Sequence, residues 1–239
     1  MSRPFKQWTV LPHGKLSQVG DNILTVVGEL HMPLMDLPRR MTVVRLRDGR
    51  LVVYSAIALD DDEMLALEHY GRLAYLVVPS DIHRMDARIW KDRYPDMHVA
   101  TTPGARDKAQ EIVEVDAIEP DFGDPNVRFV TVPGTREREA ALVVMGAHGT
   151  TLVLNDLVGN IRHESGFGGW LLRMAGFAGD EAKIPSVVRL ALIKDKEALR
   201  QQLLQWADIA TLKRIVVSHG AIIDEHPRQV LRELAGTLA

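Results

Sequence analysis

The strongest constraint on this chain is a run of short apolar segments between residues 41 and 104, broken by a hairpin signal and two helical stretches. MTVVRLR (41–47) and LVVYSAI (51–57) are rich in β-branched residues, and Asp48-Gly49 sits between Arg47 and Arg50 at their junction. Asp-Gly between two apolar runs predicts a tight antiparallel hairpin, because both residues tolerate positive φ at the turn. Next comes LDDDEMLALEHYG. Asp60 to Glu63 supply an N-cap and an acidic first turn, Met64, Leu65, Leu67 and Tyr70 supply apolar positions, and Gly71 is a stop. LAYLVVP (73–79) reads as a buried strand. The segment after Ser80 reads as a helix through Ile89 and Trp90 that ends near Tyr94-Pro95, and HVATTPG (98–104) as a strand and turn. This β-α-β-α-β order predicts right-handed crossovers and a partly parallel sheet.

The flanking segments extend the pattern. ILTVVG (23–28) is a further strand. VRFVTVPG (127–134), AALVVMG (140–146) and TTLVLNDL (150–157) read as consecutive, mostly antiparallel strands, with His148-Gly149 turning between the last two. After Pro185 a helical pattern runs to about Trp206, followed by the strand RIVVSHG (214–220) and a helix from Pro227 to about Leu238. No Ser/Pro-rich linker divides the chain, so one domain over 1–239 is expected. The expected class is α/β: a four-layer αββα sandwich of two mixed sheets with outer helices.

Composition removes several chemistries. The chain has 239 residues and no cysteine, which excludes disulfides, thiolate zinc sites and cysteine nucleophiles. The net charge is −3 and the basic residues are scattered rather than striped, so no nucleic-acid partner is expected. The N-terminal MSRPFKQWTVLPHG has no apolar run fit for a signal sequence, and no apolar stretch approaches the roughly 20 residues that span a bilayer. A cytoplasmic protein without a membrane partner is the expectation.

Residues 51–108 carry a resemblance. A strand ends in Tyr54-Ser55 and leads to an acidic helix start; then come an apolar strand, Pro79, His83, Trp90, Tyr94-Pro95 and the Pro103-Gly104 turn. LVLNDL (152–157), IVVSHG (215–220) and QVGDNILTVVG (18–28) agree with it. Together these resemble the metallo-β-lactamase fold, and more closely the domain of unknown function DUF4336. The resemblance covers nearly the whole chain and is weakest over 159–185.

That family implies zinc hydrolysis through a His-x-His-x-Asp-His motif after the strand matching 73–79. Histidines on an extended loop converge on one ion, and the Asp and last His hold a second. Here the same place reads Pro79-Ser80-Asp81-Ile82-His83-Arg84-Met85-Asp86, where His83 is the one strong nitrogen ligand. Arg84 cannot ligate a cation and would repel one inside the cleft. By resemblance, Asp156 matches the metal-bridging aspartate and His219 the last histidine ligand. The third-histidine region has no clear match, although Glu137 and Glu139 lie near it. The cofactor expectation is therefore either none or a single zinc, iron or manganese ion on His83, Asp156 and His219. The first reading is a metallo-β-lactamase-like protein of unknown role without the usual dinuclear zinc hydrolase activity, its site a relic with the Asp capping a turn and the histidines hydrogen-bonded at strand ends; the alternative is a metal-dependent hydrolase of an ester, lactone or phosphoester with a reduced mononuclear site.

Other readings stand beside these. His219 held by Asp156 can serve as a general base, with Ser80 or Ser218 as nucleophile, but neither serine lies in a G-x-S-x-G elbow. Ser80, Arg84 and Trp170 are candidate contacts for a small-molecule ligand. Asp60 to Glu63 lack the spacing of a calcium loop and are read as a helix start. The glycine- and aromatic-rich stretch 159–180, with Gly166, Phe167, Gly168, Gly169 and Trp170, lacks a nucleotide fingerprint. It reads as a lid, a homodimer contact, or a loop and short helix packed on the sandwich. Trp90 and Trp206 are expected in the core. His13, His31, His98 and His163 have no partner at ligand spacing, while His69 and His226 sit at helix ends.

Overall fold

The computed structural model describes residues 4–32, 35–161, 179 and 181–239. Among them, seven strands form one sheet in chain order: β1 (Ser17–Gly20), β2 (Ile23–Met32), β3 (Met35–Arg45), β4 (Arg50–Tyr54), β5 (Arg72–Val77), β6 (His98–Thr101) and β7 (Ala117–Ile118). β1 to β4 pair antiparallel, and β4 to β7 pair parallel. The helices α1 (Asp61–Tyr70) and α2 (Ala87–Arg93) make the first two crossovers. A short 3-10 turn runs into α3 (Arg106–Gln110) before β7. The second sheet has the order β11-β10-β9-β8, from β8 (Val127–Thr131), β9 (Ala140–Gly146), β10 (Gly149–Asn160) and β11 (Leu212–Gly220). Only its β10–β11 pair is parallel. Helices α4 (Ser186–Ala191), α5 (Lys196–Ala207) and α6 (Pro227–Gly236) complete the chain.

Side-chain alternation builds the layers. Successive strand residues point to opposite faces, so Leu51 and Val53 join Met64, Leu67, Ile89 and Trp90 beneath α1 and α2. Val52 and Tyr54 face the other way and meet Ala140, Leu142, Val144, Val153 and Val216 between the sheets. Leu152 and Leu154 pack outward against Val188, Leu199, Leu203, Trp206, Leu231 and Leu234 of the other helix layer. These three interfaces make the expected αββα sandwich. Trp90 and Trp206 are buried in its two outer layers. No helix of the described residues is long and apolar enough to cross a membrane.

Two local expectations change. The hairpin forms, but Leu46 and Arg50 are its closing pair and only Gly49, at φ 82°, takes the left-handed region. Arg47, Asp48 and Gly49 thus make a turn closed by a glycine bulge rather than a two-residue Asp-Gly turn. Asp48 stabilises it by accepting from the Arg50 amide at 3.0 Å. The helical pattern after Pro185 divides into α4 and α5, because Asp195 starts a new helix by accepting from the Ala198 amide at 3.0 Å. Asp60 caps α1 in the same way through the Glu63 amide. Glu63 itself accepts from the Leu16 amide, so this acidic run serves the helix start and the N-terminal strand.

Candidate metal centre

The site forms where the ladder between β10 and β11 breaks. Leu154 pairs with Val217 and Gly159 with His219, so Asn155 to Val158 bulge opposite Ser218. Bulges bend a strand, re-aim its side chains and free its amides. The freed Leu157 amide donates to Glu139 Oε1 at 3.1 Å, and Glu139 is fully buried. Asn155 Nδ2 donates to Asp156 Oδ2 at 3.0 Å, and the Ser80 hydroxyl donates to the same oxygen at 3.4 Å. Ser218 steadies Asn155 by donating to its Oδ1 at 2.8 Å. These bonds hold Oδ2 and leave Asp156 Oδ1 to face two imidazoles.

His83 comes from the loop between β5 and α2, and His219 from the end of β11. Each Nε2 lies 3.0 Å from Asp156 Oδ1, and the two Nε2 atoms are 3.2 Å apart. On the far side of the rings, His219 Nδ1 is 2.7 Å from the Pro38 carbonyl and His83 Nδ1 is 3.0 Å from the Ser55 hydroxyl. Ser55 follows β4 at φ 57°, a left-handed conformation that carries strain for a residue with a Cβ. Gly220, next to His219, has φ 107°, and a Cβ there would lie 2.1 Å from the Asn160 carbonyl oxygen.

Proton accounting shows what this cluster needs. A carbonyl only accepts, so His219 Nδ1 carries a proton. If both Nε2 atoms are bare, their lone pairs oppose a carboxylate oxygen. If one is protonated, the other still opposes it. If both are protonated, two N–H groups meet at 3.2 Å. While Asp156 is ionised, each of these arrangements leaves one pair of like groups close together, whereas a cation between them would meet three lone pairs. Two imidazole nitrogens and one carboxylate oxygen suit zinc, iron or manganese. Metal bonds of about 2.0–2.1 Å set tetrahedral donors roughly 3.3 Å apart, close to the observed triangle. Among the described residues this is the one cluster of three such donors.

Charge is divided between two buried carboxyls. Burial opposes ionisation of Asp156, but the His83 charge and hydrogen bonds from His219 and His83 outweigh it and hold the group well below the ordinary 3.8. Burial, and then the negative Asp156, push Glu139 well above 4.5. The two groups are thus shifted in opposite directions, favouring the charge on Asp156, while Glu139 Oε2 is buried without a partner.

The structure brings His83, Asp156 and His219 together from three distant segments. Ser80 is buried and braces Asp156. Arg84 Nη1 donates to the Lys108 carbonyl at 2.6 Å and to Glu111 Oε2 at 3.1 Å. Glu111 thus draws the guanidinium toward α3, and the repulsion expected of Arg84 toward a cation is offset there. The hydroxyls of Ser80 and Ser218 are engaged by Asp156 and Asn155 rather than by an imidazole, so the serine-nucleophile geometry is not assembled. Trp170 and His163 lie outside the described residues, as does most of 159–180.

Ser55, Pro38 and Asn155 escape the sequence reading as site residues. Two polar residues, Asn155-Asp156, interrupting an apolar strand are the signal that could have revealed the bulge.

No family model matches the chain, and no curated protein matches it by sequence. Solved structures do. The chain is similar to the metallo-β-lactamase FIM-1 from Pseudomonas aeruginosa in its mono-zinc form, with TM-score 0.61, 12% identity and coverage of 95% of this chain and 96% of that one. A metallo-β-lactamase from Erythrobacter litoralis with β-mercaptoethanol in the active site gives TM-score 0.64 at 12% identity, covering 93% and 96%. The DIM-1 metallo-β-lactamase exposed to ceftazidime gives 0.62 at 13%, covering 97% and 100%. Identity this low establishes the architecture alone: the chain has the metallo-β-lactamase fold.

Proposed function

We propose that the protein holds one zinc, iron or manganese ion on His83, Asp156 and His219 and uses it to hydrolyse an ester, lactone or phosphoester. The observation that carries this reading is the Nε2–Oδ1–Nε2 triangle, which no placement of protons on the rings satisfies while Asp156 is ionised. A neighbour of the same fold described in a mono-zinc form supports a single-ion reading. When bound, such an ion supplies Lewis acidity toward a carbonyl or phosphoryl oxygen.

The chain's own groups set the geometry. Pro38 and Ser55 fix the two ring planes, and Asn155 and Ser80 fix the carboxylate. The site is reduced relative to the dinuclear zinc hydrolases, since His83 alone stands in the place of their histidine cluster. Small-molecule contacts by Ser80, Arg84 and Trp170 belong to the same proposal. So do kinship with DUF4336, supported by residues 51–108, and a cytoplasmic location, supported by the absence of cysteine.

Elemental analysis of protein purified without chelator or affinity-tag metal tests the reading. One equivalent of metal is expected, together with ester turnover, and both should vanish when Asp156 and His219 are changed together to Ala. Protein that takes up no zinc, iron or manganese when each is supplied would overturn it.

A further inference from the structure

Three consecutive residues of β3 reach both histidine-bearing segments. Pro38 accepts from His219 Nδ1. Arg39 Nη1 donates to Asp86 Oδ2 at 2.5 Å, and Asp86 also accepts from the Ala58 amide through Oδ1 at 3.0 Å. Asp86 lies three residues after His83 and opens α2, so it anchors the loop that carries this imidazole. Arg40 points to the opposite face of the strand. Its Nε donates to the Val217 carbonyl at 3.1 Å and its Nη2 to the Gly220 carbonyl at 2.8 Å. These two carbonyls bracket Ser218 and His219. Nη1 is steadied by the Thr25 hydroxyl at 3.3 Å.

Neither arginine is an economical choice for a framework. Both are buried. Arg39 leaves Nε and Nη2 without partners, and Arg40 donates to neutral acceptors. Burying a guanidinium under such terms is costly, and an apolar side chain would fill the same space at less cost. What the two residues share is their aim: one holds the His83 loop and the other clamps the backbone on both sides of His219.

We propose that Arg39 and Arg40 are positioning residues that set the separation of the His83 and His219 imidazoles from a single strand. For its metal-binding consequence the proposal rests on the single-ion reading above. The planar fork of Arg40 spans two carbonyls at once, which a lysine ammonium cannot reproduce.

Arg40→Lys and Arg39→Lys variants, with Arg40→Met as a charge-free control, test this by three measurements well below each melting temperature. The ring-nitrogen NMR signals of both histidines are recorded in metal-free protein, zinc affinity is measured by chelator competition, and Tm is recorded separately. Expected for Arg40→Lys is a shifted His219 Nδ1 signal and zinc binding about tenfold weaker, the scale of lost outer-shell support. Arg39→Lys should shift the His83 signals instead. Variants that melt lower but keep wild-type ring signals and zinc affinity would show a merely structural role and overturn the proposal. So would failure of all three variants to fold, which assigns the arginines to the framework. If wild-type protein binds no zinc, the single-ion reading fails alone, and the metal-free ring signals still decide this inference.

Discussion

His219 donates through Nδ1 to the carbonyl of Pro38 at 2.7 Å, and this bond decides which ring nitrogen faces Asp156. Because Nδ1 is committed, Nε2 is the atom left to meet the carboxylate. The orientation of this imidazole is thus set by a strand far from β11 in sequence.

Changing Asp156 to Asn should remove metal binding while keeping the shape of the site. At zinc concentrations 100-fold above the dissociation constant, binding to the native state alone adds about 2.7 kcal/mol of stability. Wild-type Tm should therefore rise with zinc and fall back with EDTA. Asp156→Asn should show no zinc-dependent shift in the same thermal scans.

Ser55→Ala should separate ligand orientation from folding. The hydroxyl at 3.0 Å from His83 Nδ1 is lost, but the backbone at φ 57° is unchanged. Zinc affinity should drop by about tenfold with Tm nearly constant. Ser55→Gly should lose the same affinity yet gain about 1 kcal/mol in the metal-free protein, because glycine accepts positive φ freely.

The two buried carboxyls give opposite pH dependences in metal-free protein. Glu139 is raised by burial and by Asp156, so its contribution is present below 4.5 and is lost as pH rises toward its folded value. Glu139→Gln should therefore become more stable relative to wild type as pH climbs above 4.5, in paired melting curves. Asp156 is depressed against burial by His83 and His219, so its contribution is present above 3.8 and is lost as pH falls below it. Asp156→Asn should flatten that acid limb.

Gly220→Ala should damage both fold and site. Positive φ of 107° and a Cβ 2.1 Å from the Asn160 carbonyl oxygen force β11 to move exactly where His219 leaves it. Destabilisation of about 2 kcal/mol or more is expected, accompanied by zinc binding weaker than that of a Gly49→Ala control far from the site. Equal zinc affinity in the two variants would contradict the placement of Gly220 beside the ligand.

Local pattern made the framework legible. The hairpin at Asp48-Gly49, the capped helix at Asp60 and the alternation through Leu51, Val52, Val53 and Tyr54 are all short-range signals. Asp156 and His219 are legible through the resemblance to the metallo-β-lactamase fold, which places candidate ligands late in these two apolar runs. What escaped was long-range. The bulge at Asn155 to Val158 is a register break against β11, and the polar pair Asn155-Asp156 within an apolar run is its local trace. The direction of Arg84 was not legible for the same reason, since its partners, the Lys108 carbonyl and Glu111, lie 24 and 27 residues downstream. Glu139 looked interchangeable with Glu137 until the fold buried one of them.

The bulge between Leu154 and Gly159 has a consequence for how such a chain can change. Both ends of it are held by β11, so the residues between carry Asp156 outside the ladder. Within it the roles divide by residue: Asn155 and Asp156 face the candidate site, whereas Leu157 and Val158 pack in the core. Two neighbouring pairs in one bulge thus answer to different demands, so a change at the first pair can rewrite reactivity while the second keeps the scaffold closed.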